Sequence, residues 1–360
     1  MTALFTAFPR LESALPRFPF ACLPTPVEKL DGLGRQLKSN HLYIKRDDHS
    51  GSLYGGNKIR KLEFLLADAK KLGATRLITS GAAGSNHALA TAIYGKHYGF
   101  NVTLMLTDQI WNGAIARNLL LDHATGAQML LDATYHRHQM HLEEIALEYT
   151  IAEGIQPYII PPGGSSPIGA IGYVNAALEL AQQISRGEIP EPSIIFVALG
   201  TMGTAVGLSL GCAVAKIKSR ICAVRVVPDV VADIEKCAVL FNRCNALLKN
   251  LDPAFPACTF NRSRFTIDDS FFGEDYGVAT PEALAAIDTF FSAEHVQLDP
   301  VYTGKTAAAF LAAARRPDMA DKPLLFINTK SSILPELPPD ASDYRRLPAE
   351  FHRYFTPPVS

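Results

Sequence analysis

One lysine in this chain stands where lysines are seldom found. Lys58 follows a glycine turn in Gly55-Gly56-Asn57-Lys58-Ile59-Arg60-Lys61-Leu62-Glu63. It heads a row, Lys58, Leu62, Leu65, Ala69 and Leu72, with steps of four, three, four and three residues. That spacing lays the five residues along one helix face and turns the lysine towards the apolar side. Lysine is almost never buried without a partner. A desolvated amine in such a place is suited to be a Schiff-base nucleophile. The alternative is a side chain that snorkels out of the first turn and only solubilises it.

A second segment is built to hold an anion. Ser193 to Leu199 reads as a buried strand, and Gly200-Thr201-Met202-Gly203-Thr204 leads at once into a helix. Free backbone N–H groups, the helix dipole and the hydroxyls of Thr201 and Thr204 form a phosphate cradle. The loop lacks the Gly-Lys-Ser/Thr of a nucleotide triphosphate loop and the spacing of a dinucleotide fingerprint, so a single phosphate monoester fits best. A tight structural turn remains the alternative.

A similar junction occurs at Thr79-Ser80-Gly81-Ala82-Ala83-Gly84-Ser85-Asn86-His87-Ala88. Ser85 is a natural N-cap, which by itself would account for the segment. Its functional reading is that the Ser85 hydroxyl and nearby N–H groups hold a substrate carboxylate, while Asn86 bonds a ring oxygen. Tyr276 and Tyr302 lie in glycine-flanked loops, where a tyrosine is either a surface turn residue or a stacking or acid/base group. An inward lysine, a one-phosphate cradle, a carboxylate cap and polar ring neighbours together describe a pyridoxal phosphate site.

These residues need a scaffold, and the pattern supplies one. Short apolar runs at Arg76–Ser80, Val102–Thr107, Gln128–Leu131, Pro157–Ile160, Ser193–Leu199, Ala223–Val227 and Leu324–Asn328 read as strands. Between them, helical patterns cover Asn86–Tyr98, Ala114–His123, His136–Glu153, Ile168–Ile184, Thr204–Lys218, Pro281–Ala293 and Lys305–Arg315. The alternation predicts an α/β fold with mainly parallel sheets. Glycines cluster at the strand-to-helix junctions, where ligands bind in open α/β sheets.

Composition narrows the class. The 360 residues suffice for roughly two domains. The net charge of -1 gives no electrostatic case for nucleic acid or an anionic membrane. No apolar run reaches transmembrane length, and residues 1–21 lack the pattern of a secretory signal. Six scattered cysteines without a CxxC pair argue against a metal site and suit a cytoplasmic setting. The proline-rich stretch from Pro335 to Ser360 reads as an extended arm.

Taken in order, several segments resemble one family. They are Leu23-Pro24-Thr25-Pro26, Ile44-Lys45-Arg46-Asp47-Asp48, the Gly55–Glu63 segment, Ser85-Asn86-His87, Pro161–Pro167, the Gly200–Gly207 loop and Asp299-Pro300-Val301-Tyr302-Thr303-Gly304-Lys305. The chain is similar to the fold-type II pyridoxal-phosphate enzymes, tryptophan synthase β-like, and within them to the 1-aminocyclopropane-1-carboxylate deaminase / D-cysteine desulfhydrase family. The resemblance implies two three-layer α/β domains with mainly parallel sheets. A large cofactor-binding domain would comprise 1–62 and 171–335, with a small domain of 63–170 inserted and a C-terminal arm of 336–360. It also implies a homodimer and a small amino-acid substrate.

The resemblance assigns roles as well. Lys58 matches the Schiff-base lysine, which also moves the substrate α-proton. Lys61 and the turn of Gly200, Thr201, Met202, Gly203 and Thr204 match the phosphate binders. Asn86 matches the partner of the phenolic oxygen, and Ser85 and His87 stand with it on the substrate side. Tyr276 and Tyr302 match active-site tyrosines, and Thr329 a contact of the ring nitrogen. At the position of Thr303 the cyclopropane deaminases carry a glutamate that keeps the ring nitrogen protonated. A neutral hydroxyl there weakens the electron sink and favours β-elimination of a good leaving group, giving pyruvate, ammonia and hydrogen sulfide. Deamination of the cyclopropane acid to 2-oxobutanoate is the alternative, and a cofactor-retaining protein without turnover is a third. The chain departs from the family in having Ala83-Gly84 where a glutamine usually precedes the serine, and Asn328-Thr329-Lys330-Ser331 in place of His-Thr-Gly-Gly.

Overall fold

A computed structural model describes residues 1–111, 113–132 and 135–355. The last five residues of the expected arm lie outside these. In chain order the elements open with α1 (Ala3–Ala7), α2 (Arg10–Ala14), β1 (Val27–Lys29), α3 (Asp31–Leu37), β2 (Leu42–Lys45) and α4 (Asn57–Lys71). The middle holds β3 (Arg76–Ala82), α5 (Asn86–His97), β4 (Asn101–Thr107), α6 (Gly113–Ala124), β5 (Gln128–Asp132), α7 (Tyr135–Glu153) and β6 (Tyr158–Ile160). Then follow α8 (Pro167–Ser185), β7 (Ile194–Leu199), α9 (Gly203–Val214), β8 (Arg220–Arg225), α10 (Ile234–Leu251) and β9 (Phe265–Asp268). The last are α11 (Pro281–Glu294), α12 (Thr303–Ala314) and β10 (Leu324–Ile327).

Two compact units result. The large one joins Met1–Phe64 to Ser165–Ile333, and the small one joins Leu65–Gly164 to the C-terminal residues from Leu334. The first division therefore falls inside α4, between Phe64 and Leu65, and the C-terminal arm packs with the small unit.

The large unit is built on a six-stranded sheet in the order β1-β2-β10-β7-β8-β9. Only β1 pairs antiparallel, through Val27 opposite Lys45. Along β7 every residue is buried. Alternate residues explain why: Ile195, Val197 and Leu199 join one core with α1, α8, α9 and α10. Ile194 and Phe196 join a second core with α3, α11 and α12 on the opposite face. A parallel sheet covered on both faces needs continuous apolar strands, and burying each such side chain contributes about 1.5–3 kcal/mol. The small unit repeats the plan with a four-stranded parallel sheet, β5-β4-β3-β6. Its strands pair in register from Arg76 opposite Asn101 to Ala82 opposite Thr107. Among the described residues no helix is long and apolar enough to cross a membrane.

The expected alternation is present, with some differences. The strands β1, β2 and β9, the short helices α1, α2 and α3 and the long helix α10 were not anticipated. β1 and β9 are the two edge strands of the large sheet, and β2 is four residues long and ends in Lys45, so none shows the long apolar run of a central strand. The helix expected to reach Lys218 ends at Val214, where the chain turns through Lys216 at φ 59°. Leu72 does not continue the lysine row: α4 stops at Lys71, and Leu72 is 68% exposed.

Candidate active site

The lysine turn is held by the chain that follows β10. Gly56 has φ +87°, and a Cβ built on it would lie 2.6 Å from the Thr329 carbonyl oxygen. Only glycine combines that backbone with that approach. Asn57 N donates to Thr329 O at 3.1 Å, and Gly55 N donates to Ser331 Oγ at 2.8 Å. The segment Asn328–Ser331, which departs from the resembled family, therefore braces the turn that launches α4. Lys330 is turned onto its neighbour, donating from Nζ to Ser331 O at 3.3 Å.

Below the turn, α4 is anchored by a buried ionic network. Arg60 grips both oxygens of Asp47, at 2.8 and 3.1 Å, and both oxygens of Glu179, at 2.9 and 3.0 Å. Lys45 adds 2.7 Å to Glu179 Oε1, and Tyr173 donates to Asp47 Oδ2 at 2.5 Å. Burial by itself pushes the Glu179 carboxyl up, but Arg60 and Lys45 overcome it and hold it down at about 2. Two cations and two anions balance, as a water-poor interior requires. The network joins β2, α4 and α8, so it fixes the rotation of the helix that carries Lys58 and Lys61.

Lys58 is half-buried, while Leu62, Leu65 and Ala69 on its row are fully buried. Its Nζ donates to Asn57 Oδ1 at 2.8 Å and lies 5.8 Å from the centre of the Tyr302 ring. Desolvation lowers its pKa to about 8, with the Asp299 carboxylate working against the shift. At pH 7 roughly one amine in ten is then neutral, against about three in ten thousand for an ordinary lysine. A neutral amine is both a nucleophile and a proton acceptor.

The phosphate-type turn adjoins the same helix. Asn57 Nδ2 donates to Thr204 Oγ1 at 2.9 Å, tying the start of α4 to the start of α9. Met202 is a non-glycine residue at φ 72°, and Gly203 N donates back to Thr201 O at 2.9 Å, closing a γ-turn. Ser165 Oγ accepts from Gly203 N at 3.1 Å and donates to Thr201 Oγ1 at 2.8 Å. A Cβ built on Gly203 would stand 2.7 Å from Ser165 Oγ and 3.2 Å from Lys61 Nζ. The buried Lys61 ammonium is thus brought to the N-terminus of α9. Burial, then the charge of Lys58, pushes its pKa well below the usual lysine range. A dianion beside Lys61 and this helix end would relieve both penalties.

Tyr276 and Tyr302 meet through their hydroxyls at 2.6 Å. Burial raises the pKa of both, that of Tyr302 well above normal. The pair stays neutral at physiological pH, and one of its two protons is committed to the mutual bond. It can offer a hydrogen bond or a proton outward but is a poor base, which leaves Lys58 as the basic group of this cluster. Asp299 orders the loop before α12 by accepting from the N–H groups of Val301, Tyr302 and Thr303. Thr303 is fully buried, and its hydroxyl is used within the turn. It accepts from Asp299 N at 2.8 Å and donates its single proton to Asp299 Oδ2 at 2.7 Å.

In the small unit, Ser85 caps α5, its Oγ accepting from Ala88 N at 3.2 Å, so its own proton is free to donate. Asn86 Oδ1 accepts from Asn118 Nδ2 at 3.2 Å. His87 takes a different place. Its ring is buried against β3, with Nε2 3.0 Å from Thr79 Oγ1, and Thr79 gives its proton to Ile160 O. The imidazole must then donate from Nε2, and it serves the packing of helix on sheet.

The family model for pyridoxal-phosphate dependent enzymes matches residues 20–330. The chain belongs to that family. A D-cysteine desulfhydrase of Serratia proteamaculans (strain 568) is 36% identical over 319 residues, covering 87% of this chain and 93% of the relative. A crystal structure described as an ACC deaminase homologue superposes with a TM-score of 0.77 at 34% identity, over 91% of this chain and 94% of the other. The processed form of threonine deaminase isoform 2 from Solanum lycopersicum, 17% identical, gives a TM-score of 0.59 over 91% and 88% of the two chains, a likeness of fold. The protein is a fold-type II enzyme of the 1-aminocyclopropane-1-carboxylate deaminase / D-cysteine desulfhydrase family, with the tryptophan synthase β-like fold. It is a lyase or deaminase that uses pyridoxal 5'-phosphate on a small amino acid.

The residues in the large unit fit that cofactor. Lys58, whose lowered pKa keeps a fraction of its amine neutral, would hold the aldehyde carbon. Lys61, Thr201, Thr204 and Ser165 are suited to the phosphate. Beyond β10, Asn328 Nδ2 is a buried donor without a partner among the described residues. Next to it, Thr329 contributes a hydroxyl that no hydrogen bond described here consumes. Both can donate to an unprotonated ring nitrogen, which Thr303 cannot. Asn57, Ser165, Asp299 and Asn328 carried no assigned role in the sequence. Ser165 had a readable signal, since it stands between a Gly-Gly pair and the Ser166 cap of α8.

Proposed function

We propose that this enzyme catalyses α,β-elimination of a D-cysteine-like amino acid: D-cysteine and water give pyruvate, ammonia and hydrogen sulfide. The observation that carries this reading is the state of Thr303. Its proton is committed to Asp299, and no carboxylate stands at that position to keep a ring nitrogen protonated. Bound pyridoxal phosphate supplies an electron sink for the pair released from the substrate Cα–H bond, and a weaker sink suits a substrate with a good leaving group. Lys58 accepts the α-proton as its neutral amine. The neutral Tyr276–Tyr302 pair offers a hydrogen bond or a proton to the departing sulfur. Ser85 and the start of α5 hold the substrate carboxylate.

The 36% identical D-cysteine desulfhydrase supports this choice. The test is a panel of D- and L-cysteine, D-serine and the cyclopropane acid, assayed for keto acid, ammonia and sulfide. Turnover of D-cysteine at an ordinary enzymatic rate with stoichiometric sulfide supports the reading. Preferential release of 2-oxobutanoate from the cyclopropane acid would overturn it. A homodimer and a cytoplasmic setting belong to the same proposal. The six free thiols suit a reducing compartment, and light scattering at assay concentration tests the dimer.

A further inference from the structure

The C-terminal residues take no part in the chemistry above, yet they pack at a telling place within the small unit. A short helical turn, Ala349–Tyr354, buries Phe351 and Tyr354. Its contacts converge on the segment that leaves β4. Trp111 Nε1 donates to Tyr354 O at 3.1 Å, and Gln109 N donates to Tyr354 Oη at 3.2 Å. Tyr354 Oη in turn donates to Asp108 Oδ1, and Arg353 pairs with the same carboxylate at 2.9 Å. Earlier in the arm, Pro335 O accepts from Arg117 on α6 at 2.9 Å.

Gln109 carries the contact onward. Its Oε1 accepts from Gly84 N at 3.0 Å. Asn118 Nδ2 holds the following peptide, Gly84–Ser85, donating to Gly84 O at 2.9 Å and to Asn86 Oδ1 at 3.2 Å. Gly84 therefore has a side chain on each flank, and both belong to other elements. A Cβ on Gly84 would come within 3.0 Å of Ile115 Cγ1 and 3.2 Å of Gln109 Oε1. The space that a side chain at position 84 would enter is filled by Ile115 and by the amide of Gln109. The absence of a side chain at 84 and the presence of glutamine at 109 are two parts of one arrangement.

We infer that Gln109 is a positioning residue for the Ser85-Asn86 turn, and that the C-terminal arm sets its place through Tyr354. The path runs from Tyr354 Oη to Gln109 N, through the Gln109 side chain to Gly84 N, and so to the cap and first residue of α5. Both hydrogen bonds of the path lie within the small unit, and Gln109 N is shared with Asp108 Oδ1, at 2.9 Å, the carboxylate that Tyr354 Oη also holds. The exposed Arg353–Asp108 pair adds little, since exposed ion pairs contribute weakly. The functional part of the inference rests on the reading that Ser85 and the start of α5 meet the substrate carboxylate. Lys58, Lys61 and the Gly200–Thr204 turn lie outside this path, while Asn86, matched to the cofactor's phenolic oxygen, stands at its end, so substrate binding should respond more strongly than cofactor binding.

The experiment compares Gln109→Ala, Gln109→Glu and Tyr354→Phe in the full-length holoenzyme. One readout is amide hydrogen exchange of the segment 83–88. The other is the split of KM and kcat for D-cysteine, measured beside cofactor affinity. Gln109→Ala should speed exchange at Gly84 and raise KM about two- to thirteenfold, the effect of losing one hydrogen bond to a half-buried amide. Cofactor affinity should fall by less than KM rises. Gln109→Glu keeps an acceptor for Gly84 N–H and should restore the slow exchange. Tyr354→Phe should speed exchange of the same segment and red-shift the emission of Trp111, the only tryptophan in the chain. Unchanged exchange in Gln109→Ala or Tyr354→Phe overturns the mechanical path. Faster exchange with an unchanged KM overturns its role in substrate binding, and a parallel loss of cofactor affinity shows general loosening instead. If the wild-type enzyme turns over no D-cysteine, the functional reading has failed, while the exchange data still decide the path.

Discussion

Replacing Gly203 by alanine probes the phosphate cradle with a single methyl group. The added Cβ would stand 2.7 Å from Ser165 Oγ, 3.2 Å from Ser165 Cα and 3.2 Å from Lys61 Nζ. The first distance is shorter than carbon and oxygen tolerate, so Ser165 must move. Moving it loses two hydrogen bonds, to Gly203 N at 3.1 Å and to Thr201 Oγ1 at 2.8 Å. Each is worth about 0.5–1.5 kcal/mol, and a bond to a charged phosphate about 1.5–3 kcal/mol. Alanine is the better helix former, by up to about 1 kcal/mol, which offsets part of the loss in the cofactor-free protein. Apo stability should therefore fall by no more than about 3 kcal/mol. The cofactor dissociation constant should rise by about ten- to a hundredfold, because the methyl also crowds the ammonium of Lys61. The assay is a cofactor titration followed by absorption, beside urea denaturation of the apo protein. A dissociation constant within twofold of wild type would refute the placement of phosphate at this turn.

Three further outcomes follow from the same geometry. Borohydride treatment of the holoenzyme should leave the mass of the reduced cofactor on the peptide containing Lys58, and Lys58→Ala should abolish both that adduct and turnover; an adduct on another lysine would refute the assignment. A base with a lowered pKa is neutral above that value and charged below it, so the rate of cofactor capture should rise about tenfold per pH unit up to about 8 and then level; a rate still climbing at pH 9.5 would contradict it. In the buried network, Arg60→Met leaves Asp47 without its cation and Glu179 with Lys45 alone, and should cost about 3–5 kcal/mol in urea denaturation. With Arg60 in place the Glu179 carboxyl is held down at about 2, below its unfolded value, so its stabilisation is complete above the ordinary carboxylate range and is lost as the pH falls towards 2. A wild-type acid limb identical to that of Glu179→Gln would count against this.

Much of the active site was readable along the chain because its chemistry is local. A glycine turn before a helix, a strand ending in Gly-Thr-Met-Gly-Thr and a serine cap are patterns of a few neighbouring residues, and backbone geometry enforces them wherever they occur. The lysine row was legible for the same reason as far as Ala69, and it failed at Leu72, where the helix had already ended. The short strands β1, β2 and β9 escaped because their pairing is imposed by neighbours distant in sequence. Thr303 was visible as a departure from a carboxylate, but its bond to Asp299 was not.

The sequence by itself determined the α/β alternation and pointed to the cofactor and to candidate residues for it, since each depends on residue type and short spacing. Only the tertiary structure decided how those residues are held and in what state. Lys58 has its lowered pKa because the fold desolvates it, and α4 is oriented by Arg60 bridging Asp47 and Glu179, partners 13 and 119 residues away along the chain. Gln109 reaches Gly84 across 25 residues. Hydrogen bonds and desolvation act over a few ångströms of space, and a linear pattern carries no record of which distant residues the fold will bring within that range.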